Sequence, residues 1–456
     1  MSTYRFYLQH KHAEAKQLLH LAWPIMIAQL AQNTMGFVDT LMAARAGTED
    51  LAAIALGSSL WLPLFLALAG ILMATTPLVA QAVGKADTQS SVDTFHQGLW
   101  IAFILGLFAL VLLHNSQPLL TLLALEPGLE AKTLGYLKAI SWGFPALLLL
   151  QVIRGFSEGY GRTRALMKIA LLGLACNIPL NYVLIFGKFG FPELGGVGCG
   201  WASAIVMWIM LFTGILYIHH SRLFQPLKLW CAWQKPHLQK LWQFVRLGFP
   251  IGVALLIEAS MFCVIALLIA PQGELIIASH QVTLSFTGLV FMIPLSIAMA
   301  MTIRVGQLIG AGELAAARFS AFTGIHLTLV TALMTASLMF TQSLAIARLY
   351  TSDMEILLLA SQLLGIAALF QFSDALQVSA AGALRGYKDT ARPLLLVFIA
   401  FWVIGLPIGY ILGMTDLLLP RLSAAGFWYG LLIGLSLGAV MLLTRLNRVS
   451  RHALST

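Results

Sequence analysis

The chain has 456 residues, of which 59% are hydrophobic and only 10% charged, and its mean hydropathy is +0.87. Soluble globular proteins are roughly 45–50% apolar and about 25% charged, so a soluble fold is excluded. Disorder, which needs high charge and low hydrophobicity, goes with it. The long unbroken apolar runs also exclude a transmembrane β-barrel, whose short strands alternate, and leave an all-α integral membrane protein.

The net charge is +9. In a membrane protein that excess follows from the positive-inside bias, so no nucleic-acid partner is expected; the lipid bilayer is the implied surrounding. Cys176, Cys199, Cys231 and Cys263 show no C-x-x-C spacing, which signals neither a metal site nor a disulfide framework. The opening segment MSTYRFYLQHKHAEAK is polar and amphipathic and lacks the pattern of a removable signal peptide.

Twelve spans are predicted in chain order. The first six cover 17–44, 53–83, 96–115, 131–155, 166–187 and 197–219. The last six cover 243–270, 276–309, 316–342, 357–384, 393–414 and 423–445. Turn-forming breaks separate them, such as GKADTQSS at 84–91, EPG at 126–128, FPELGG at 191–196 and RGYKDTARP at 385–393. The longest polar break lies near the middle, at 220–240. With the N-terminus in the cytoplasm, alternate loops place 21 Lys and Arg on the inner side and 6 on the outer. Both termini are then cytoplasmic.

The second half of the chain repeats the first at a near-constant offset. Pro24 falls on Pro250, Met35 on Met261, Gly47 on Gly273, Gln81 on Gln307 and Gly84 on Gly310. After small insertions, Gly159-Tyr160 meets Gly386-Tyr387. Each half holds six spans, an even number, so both enter the membrane in the same sense. The expected architecture is two six-helix lobes, 1–219 and 243–456, joined by a cytoplasmic linker, 220–242. A pseudo-twofold axis along the membrane normal relates them, and a transport cavity between the halves opens to each side in turn.

Of the 18 acidic residues, all but Asp39, Glu258 and Asp374 fall in predicted loops. No Lys or Arg lies clearly within a predicted span to pair with these three. A charged side chain at the bilayer centre costs about 2.5–3.5 kcal/mol on insertion scales. The repeat mates of Asp39, Glu258 and Asp374 are Ile265, Gln32 and Leu148, so the duplicated scaffold does not itself require carboxylates there. A buried carboxylate can take up a proton, ligate Na⁺ or attract an organic cation. These uses compete for one negative charge, which is the physical content of antiport.

Polar neighbours fit that reading. Gln377 follows Asp374 by three residues and shares its helical face; Asn177 and Asn181, and Gln281 and Ser285, are each four apart. Each amide also has a plain interhelical role open to it. Phe291, Met292 and Phe370 are candidates for a greasy pocket where a ring face attracts a cation. His280 follows an outer loop and reads as a boundary histidine. Pro24, Pro77, Pro179, Pro250, Pro294 and Pro407 interrupt spans, either as hinges or as kinks re-satisfied by neighbouring helices. The chain carries no nucleotide-binding loop, so coupling to ATP is not expected.

The stretches QNTMGFVDTLMA (32–43), NIPLNYVLIFGKFGFPELGGVGCG (177–200), LGFPIGVALLIEAS (247–260), FQFSDALQVSAAG (370–382) and AGALRGYKD (381–389) resemble the multidrug and toxic compound extrusion family, its NorM branch in particular. The resemblance runs from about residue 15 to 446. It implies cation-driven export of amphiphilic, mostly cationic drugs and dyes by a multi-pass protein of the bacterial cytoplasmic (inner) membrane, acting as a monomer. It implies that Glu258 and Asp374 form the coupling-cation region of the C-terminal lobe, as metal ligands if the ion is Na⁺. Asp39 is then the N-terminal-lobe acid, linked to substrate or proton handling. Ser59, Gln281, Phe291 and Asp353 match positions near bound substrate, and Asn177, Asn181 and Gln377 join them as candidate substrate-binding residues. Phe291 and Phe370 stand where some relatives carry Tyr, which keeps a ring face and removes a hydroxyl.

The expected function is therefore secondary active multidrug efflux in exchange for Na⁺ or H⁺, with no other cofactor. A lipid-linked-precursor flippase of the same superfamily would favour a cleft lined by Lys and Arg, which the spans lack. An intramembrane enzyme would need a nucleophile–base pair or a metal cluster; none is visible, so no catalytic residue is expected. A channel would need a filter-like motif.

Overall fold

The computed structural model describes residues 2–455 apart from 124, 231–232 and 418–419, with side chains from residue 11 onward. Every regular element described is helical. The first expected span is α1 (Ser2–Ala46). The second is split into α2 (Thr48–Leu72) and α3 (Thr75–Gly84), and the third is α4 (Thr88–His114), followed by the short α5 (Gln117–Leu122). The fourth is split into α6 (Pro127–Ser141) and α7 (Phe144–Gly159); α8 (Thr163–Phe186) and α9 (Gly195–His220) complete the first half. The second half holds α10 (Leu238–Ile269), α11 (Glu274–Gly310), α12 (Leu314–Thr341), the short α13 (Ser343–Arg348) and α14 (Met354–Gly386). Then come α15 (Ala391–Phe398), a π-helical stretch (Ile399–Gly405), α16 (Leu406–Met414) and α17 (Ala424–Ser455).

Among the described residues, ten helical segments are long and apolar enough to cross a membrane, or eleven with the α6–α7 pair, which bends by 43°. The more polar α1 falls outside that count and occupies the first of the twelve expected positions. The repeat is visible in the elements themselves: α5 and α13 are displaced by the same offset that relates the sequence halves. At two places where the halves differ, proline decides. Pro145 opens α7 and Pro77 sits in the first turn of α3. Gln371 and Ile303 stand at those places in α14 and α11, which run unbroken. A proline lacks the N–H that would continue the helix behind it, and is tolerated in a first turn.

The chain forms two compact units, Ile27–Gly252 and Met1–Met26 with Val253–Thr456. They are not the contiguous segments 1–219 and 243–456. Leu18 and Ala22 of α1 belong to the C-terminal core, where Glu14 makes a two-pronged ion pair with Arg304 at 2.9 and 3.1 Å. Phe244 and Leu247 of α10 belong to the N-terminal core. The two division points, after Met26 and after Gly252, are repeat mates of one another, each two residues past a proline, Pro24 and Pro250. The segment expected as linker is fastened to α4 of the N-terminal unit. His96 donates to the Leu229 carbonyl at 2.8 Å, Trp100 to that of Gln234 at 3.0 Å, and Gln97 bonds both Lys235 O and His237 N. Asp93 accepts from Gln234 and Lys240.

Small residues allow close helix approach, as in other membrane bundles. In the C-terminal unit, Gly430 of α17 lies so near Gly409 of α16 that a Cβ would collide with its backbone. Beside that contact, Phe427, Trp428, Leu431 and Leu435 fill the core with no exposed surface.

Candidate functional site

Asp39, on the part of α1 that belongs to the N-terminal unit, sits in a cage of side chains from α8 and α9. Its Oδ1 accepts from Asn177 Nδ2 at 3.0 Å and Asn181 Nδ2 at 2.6 Å, and its Oδ2 accepts from Ser203 Oγ at 3.1 Å. The Cys199 thiol adds a further hydrogen bond. The geometry follows from helical spacing: Asn177 and Asn181 are one turn apart on α8, and Cys199 and Ser203 one turn apart on α9. None of these partners is a cation. The Asn177 and Asn181 side chains are buried, and the Oδ1 of each has no partner. A carboxylate with two free amide oxygens beside it is a set of hard oxygen donors, suited to a small cation or a proton.

The C-terminal unit carries a second acidic group. Gln377 Nε2 donates to Glu258 Oε1 at 3.0 Å, joining α14 to α10. Asp374, one turn earlier on α14 and 9% exposed, lies within electrostatic reach of Glu258. Gln377 Oε1 is buried without a partner. Two facing carboxylates repel, so the pair is stabilised by any cation that binds between them. One expectation is corrected here. Arg385, assigned from sequence to an inner loop, forms part of the last turn of α14, is partly buried, and attracts Glu258. The helix runs two residues past the predicted end of its span, enough to carry Arg385 in its last turn.

The structure thus brings Asn177 and Asn181 to Asp39, and Gln377 to Glu258 and Asp374. The remaining candidates make other contacts. Ser59 is exposed in the N-terminal unit, and its hydroxyl bonds to the Ala55 carbonyl of its own helix at 2.9 Å. In the C-terminal unit Gln281 is exposed and Phe291 half-buried. Asp353 caps α14, accepting from the Glu355 and Ile356 amides at 2.9 and 3.2 Å. Phe370 is buried edge-on against Trp428 with ring centroids 5.7 Å apart.

Two participants in the Asp39 cage escaped the sequence reading. Cys199 and Ser203 have the same four-residue spacing that singled out the asparagines. His280, expected at a boundary, has no exposed surface, and neither of its ring nitrogens has a partner. The signal for it was its place on one helical face with Thr283 and Thr287.

The MatE family model matches residues 24–183 and 250–411. The chain is 47% identical over 441 residues to the multidrug resistance protein PmpM of Pseudomonas aeruginosa, covering 96% of this chain and 92% of that one. It is 44% identical over 434 residues to the multidrug resistance protein NorM of Photobacterium profundum, covering 95% of each. Among solved structures, the eukaryotic MATE transporter AtDTX14 superposes with a TM-score of 0.87 at 20% identity, covering 97% of this chain and 98% of the other. An outward-facing multidrug resistance MATE family transporter of the MOP superfamily gives 0.87 at 19% identity, with 97% of each chain covered.

Proposed function

The chain belongs to the MatE family, and from that premise we propose that it is a multidrug efflux antiporter that exports amphiphilic organic cations in exchange for Na⁺ or H⁺. The observation that carries the exchange mechanism is that each unit holds its own acidic group, partly buried at Asp39 and Glu258 and buried at Asp374, with unpartnered amide oxygen beside it. The Asp39 cage and the Glu258–Asp374–Gln377 group each offer hard oxygen donors in surroundings that disfavour a bare negative charge. An inward-moving cation neutralises such a site. An organic cation and that ion then compete for the same charge, so loading one favours release of the other.

In this reading Glu258 and Asp374 receive the coupling ion, with Gln377 holding the Glu258 carboxylate in place. Asp39 responds to the ion or to the drug's charge through Asn177, Asn181 and Ser203. Ser59, Gln281, Phe291 and Asp353 contribute to the drug path. The protein acts as a monomer in the bacterial inner membrane with both termini in the cytoplasm, the orientation that the excess of Lys and Arg in alternate loops favours.

The test is ethidium export from proteoliposomes under an imposed Na⁺ gradient or an imposed pH gradient. Export driven by either gradient supports antiport and identifies the ion. Export driven by neither, from folded protein, overturns it.

A further inference from the structure

The segment between the two halves is laid over one face of α4. That helix holds it through Asp93, His96, Gln97 and Trp100. Asp93, Gln97 and Trp100 share their helical face with Phe103, Ile104 and Leu107. Those three are exposed, and α4 carries no Asp, Glu, Lys or Arg after Asp93. They begin its lipid-facing stripe. Phe103 lies about one turn beyond Trp100, whose indole bonds the Gln234 carbonyl. The segment therefore lies at the edge of the hydrocarbon, on the side of α4 that faces lipid.

Its side chains suit that level. Trp230 packs edge-on against Phe95, and Trp233 packs against His96 and Trp100, yet both indoles stay exposed. At the start of α10, Leu238 and Trp242 are 85% and 65% exposed. So much bare apolar surface is unfavourable in water and favourable at a membrane interface, where tryptophan collects. The charge around these rings has one sign. From 194 to 257 the chain carries five Lys and Arg and no Asp or Glu. Lys240 is paired with Asp93. Arg222, Lys228, Lys235 and Arg246 are exposed and have no acidic partner among the described residues.

We propose that this face of the N-terminal unit binds anionic phospholipid of the leaflet in which it lies. Headgroup phosphates meet Arg222, Lys228, Lys235 and Arg246, whose long stems carry their charge out to that level. The indoles of Trp230, Trp233 and Trp242 sit at the glycerol level with their apolar surface against the acyl chains. A soluble anion would satisfy the cations and leave the rings bare. Only an amphiphile answers both, because the cations alternate with exposed rings along the chain. The inference goes beyond the antiport reading and is independent of the ion exchanged.

The experiment titrates the full chain in detergent with phosphatidylglycerol, phosphatidylcholine or inorganic phosphate, and reads bound lipid by native mass spectrometry and the melting temperature. Phosphatidylglycerol is expected to bind and to raise the melting temperature; the other two should not. Arg222→Gln, Lys228→Gln and Lys235→Gln together should weaken phosphatidylglycerol binding about fivefold for each charge removed. A control removes three exposed charges from the C-terminal unit, Arg392→Gln, Arg448→Gln and Arg451→Gln, and should keep most of the binding. Equal weakening by the two triple variants overturns the site in favour of general charge attraction. Stabilisation by inorganic phosphate alone overturns the lipid as its occupant. In nanodiscs whose lipids carry bromine near the glycerol, the emission that Trp242→Phe removes from the parent spectrum should be quenched emission. An unquenched Trp242 lies in water and overturns the interfacial placement. Each of these failures leaves antiport standing, since none of them reads export.

Discussion

Asn181 donates its side-chain amide to Asp39 at 2.6 Å from a distant part of the sequence, the shorter of the two amide bonds to Oδ1 of that carboxylate. A hydrogen bond to a charged group contributes about 1.5–3 kcal/mol. Asn181→Leu removes it and leaves the acid less well held. Export in proteoliposomes is expected to fall about tenfold or more, with Asn177→Leu, at the longer bond, having the smaller effect. Equal and negligible losses in both variants would show that the cage does not serve transport.

Glu258 lies within electrostatic reach of Asp374 and accepts a hydrogen bond from Gln377. Asp374→Asn and Glu258→Gln are each expected to abolish gradient-driven export while the protein remains folded, because the neutral amide cannot exchange a cation. Gln377→Ala removes only the 3.0 Å support of Glu258 and should slow export without ending it. The three rates, measured at equal reconstituted protein, check the ordering.

The close approach of α16 and α17 makes a stability prediction independent of transport. Gly430→Leu places a side chain against the Gly409 backbone, and such overpacking costs about 1–3 kcal/mol. The melting temperature in detergent should fall accordingly. Gly365→Ala, where a Cβ meets nothing within 4 Å, should be neutral or stabilise by about 0.5–1 kcal/mol, since alanine favours the helix. A Gly430→Leu protein as stable as the parent would mean the two helices separate freely.

Asp353 has two candidate roles that substitution separates. As the N-cap of α14 it needs an acceptor oxygen, which asparagine also provides, whereas Asp353→Ala is expected to cost about 1 kcal/mol of stability. Asp353→Asn should therefore melt like the parent. If it also exports ethidium like the parent, the carboxylate is a cap alone; a raised half-saturating ethidium concentration at unchanged stability would give its charge a part in drug binding.

Much of this molecule is written along the chain. Apolar runs the width of a bilayer have no alternative to the helix, because a backbone amide in lipid must find its partner within the same segment. Hydropathy therefore located the spans, matching residues at a near-constant offset located the duplication, and charge expense singled out Asp39, Glu258 and Asp374. Spacing placed Asn177 with Asn181 and Asp374 with Gln377, since one helical turn is a local property. Proline at positions 77 and 145 carried the two breaks of the N-terminal unit in the same local way.

Tertiary structure decided who meets whom. The rotation and level of each helix are set by side chains on its neighbours, and no periodicity along one helix contains them. That is why Cys199 and Ser203 of α9 joined Asp39 unannounced, why Arg385 came within reach of Glu258, and why His280 packs beside Trp428. It is also why the segment Met1–Met26 packs with Val253–Thr456. Each half of the sequence repeats the same instructions, but which unit completes itself with which segment depends on three-dimensional burial.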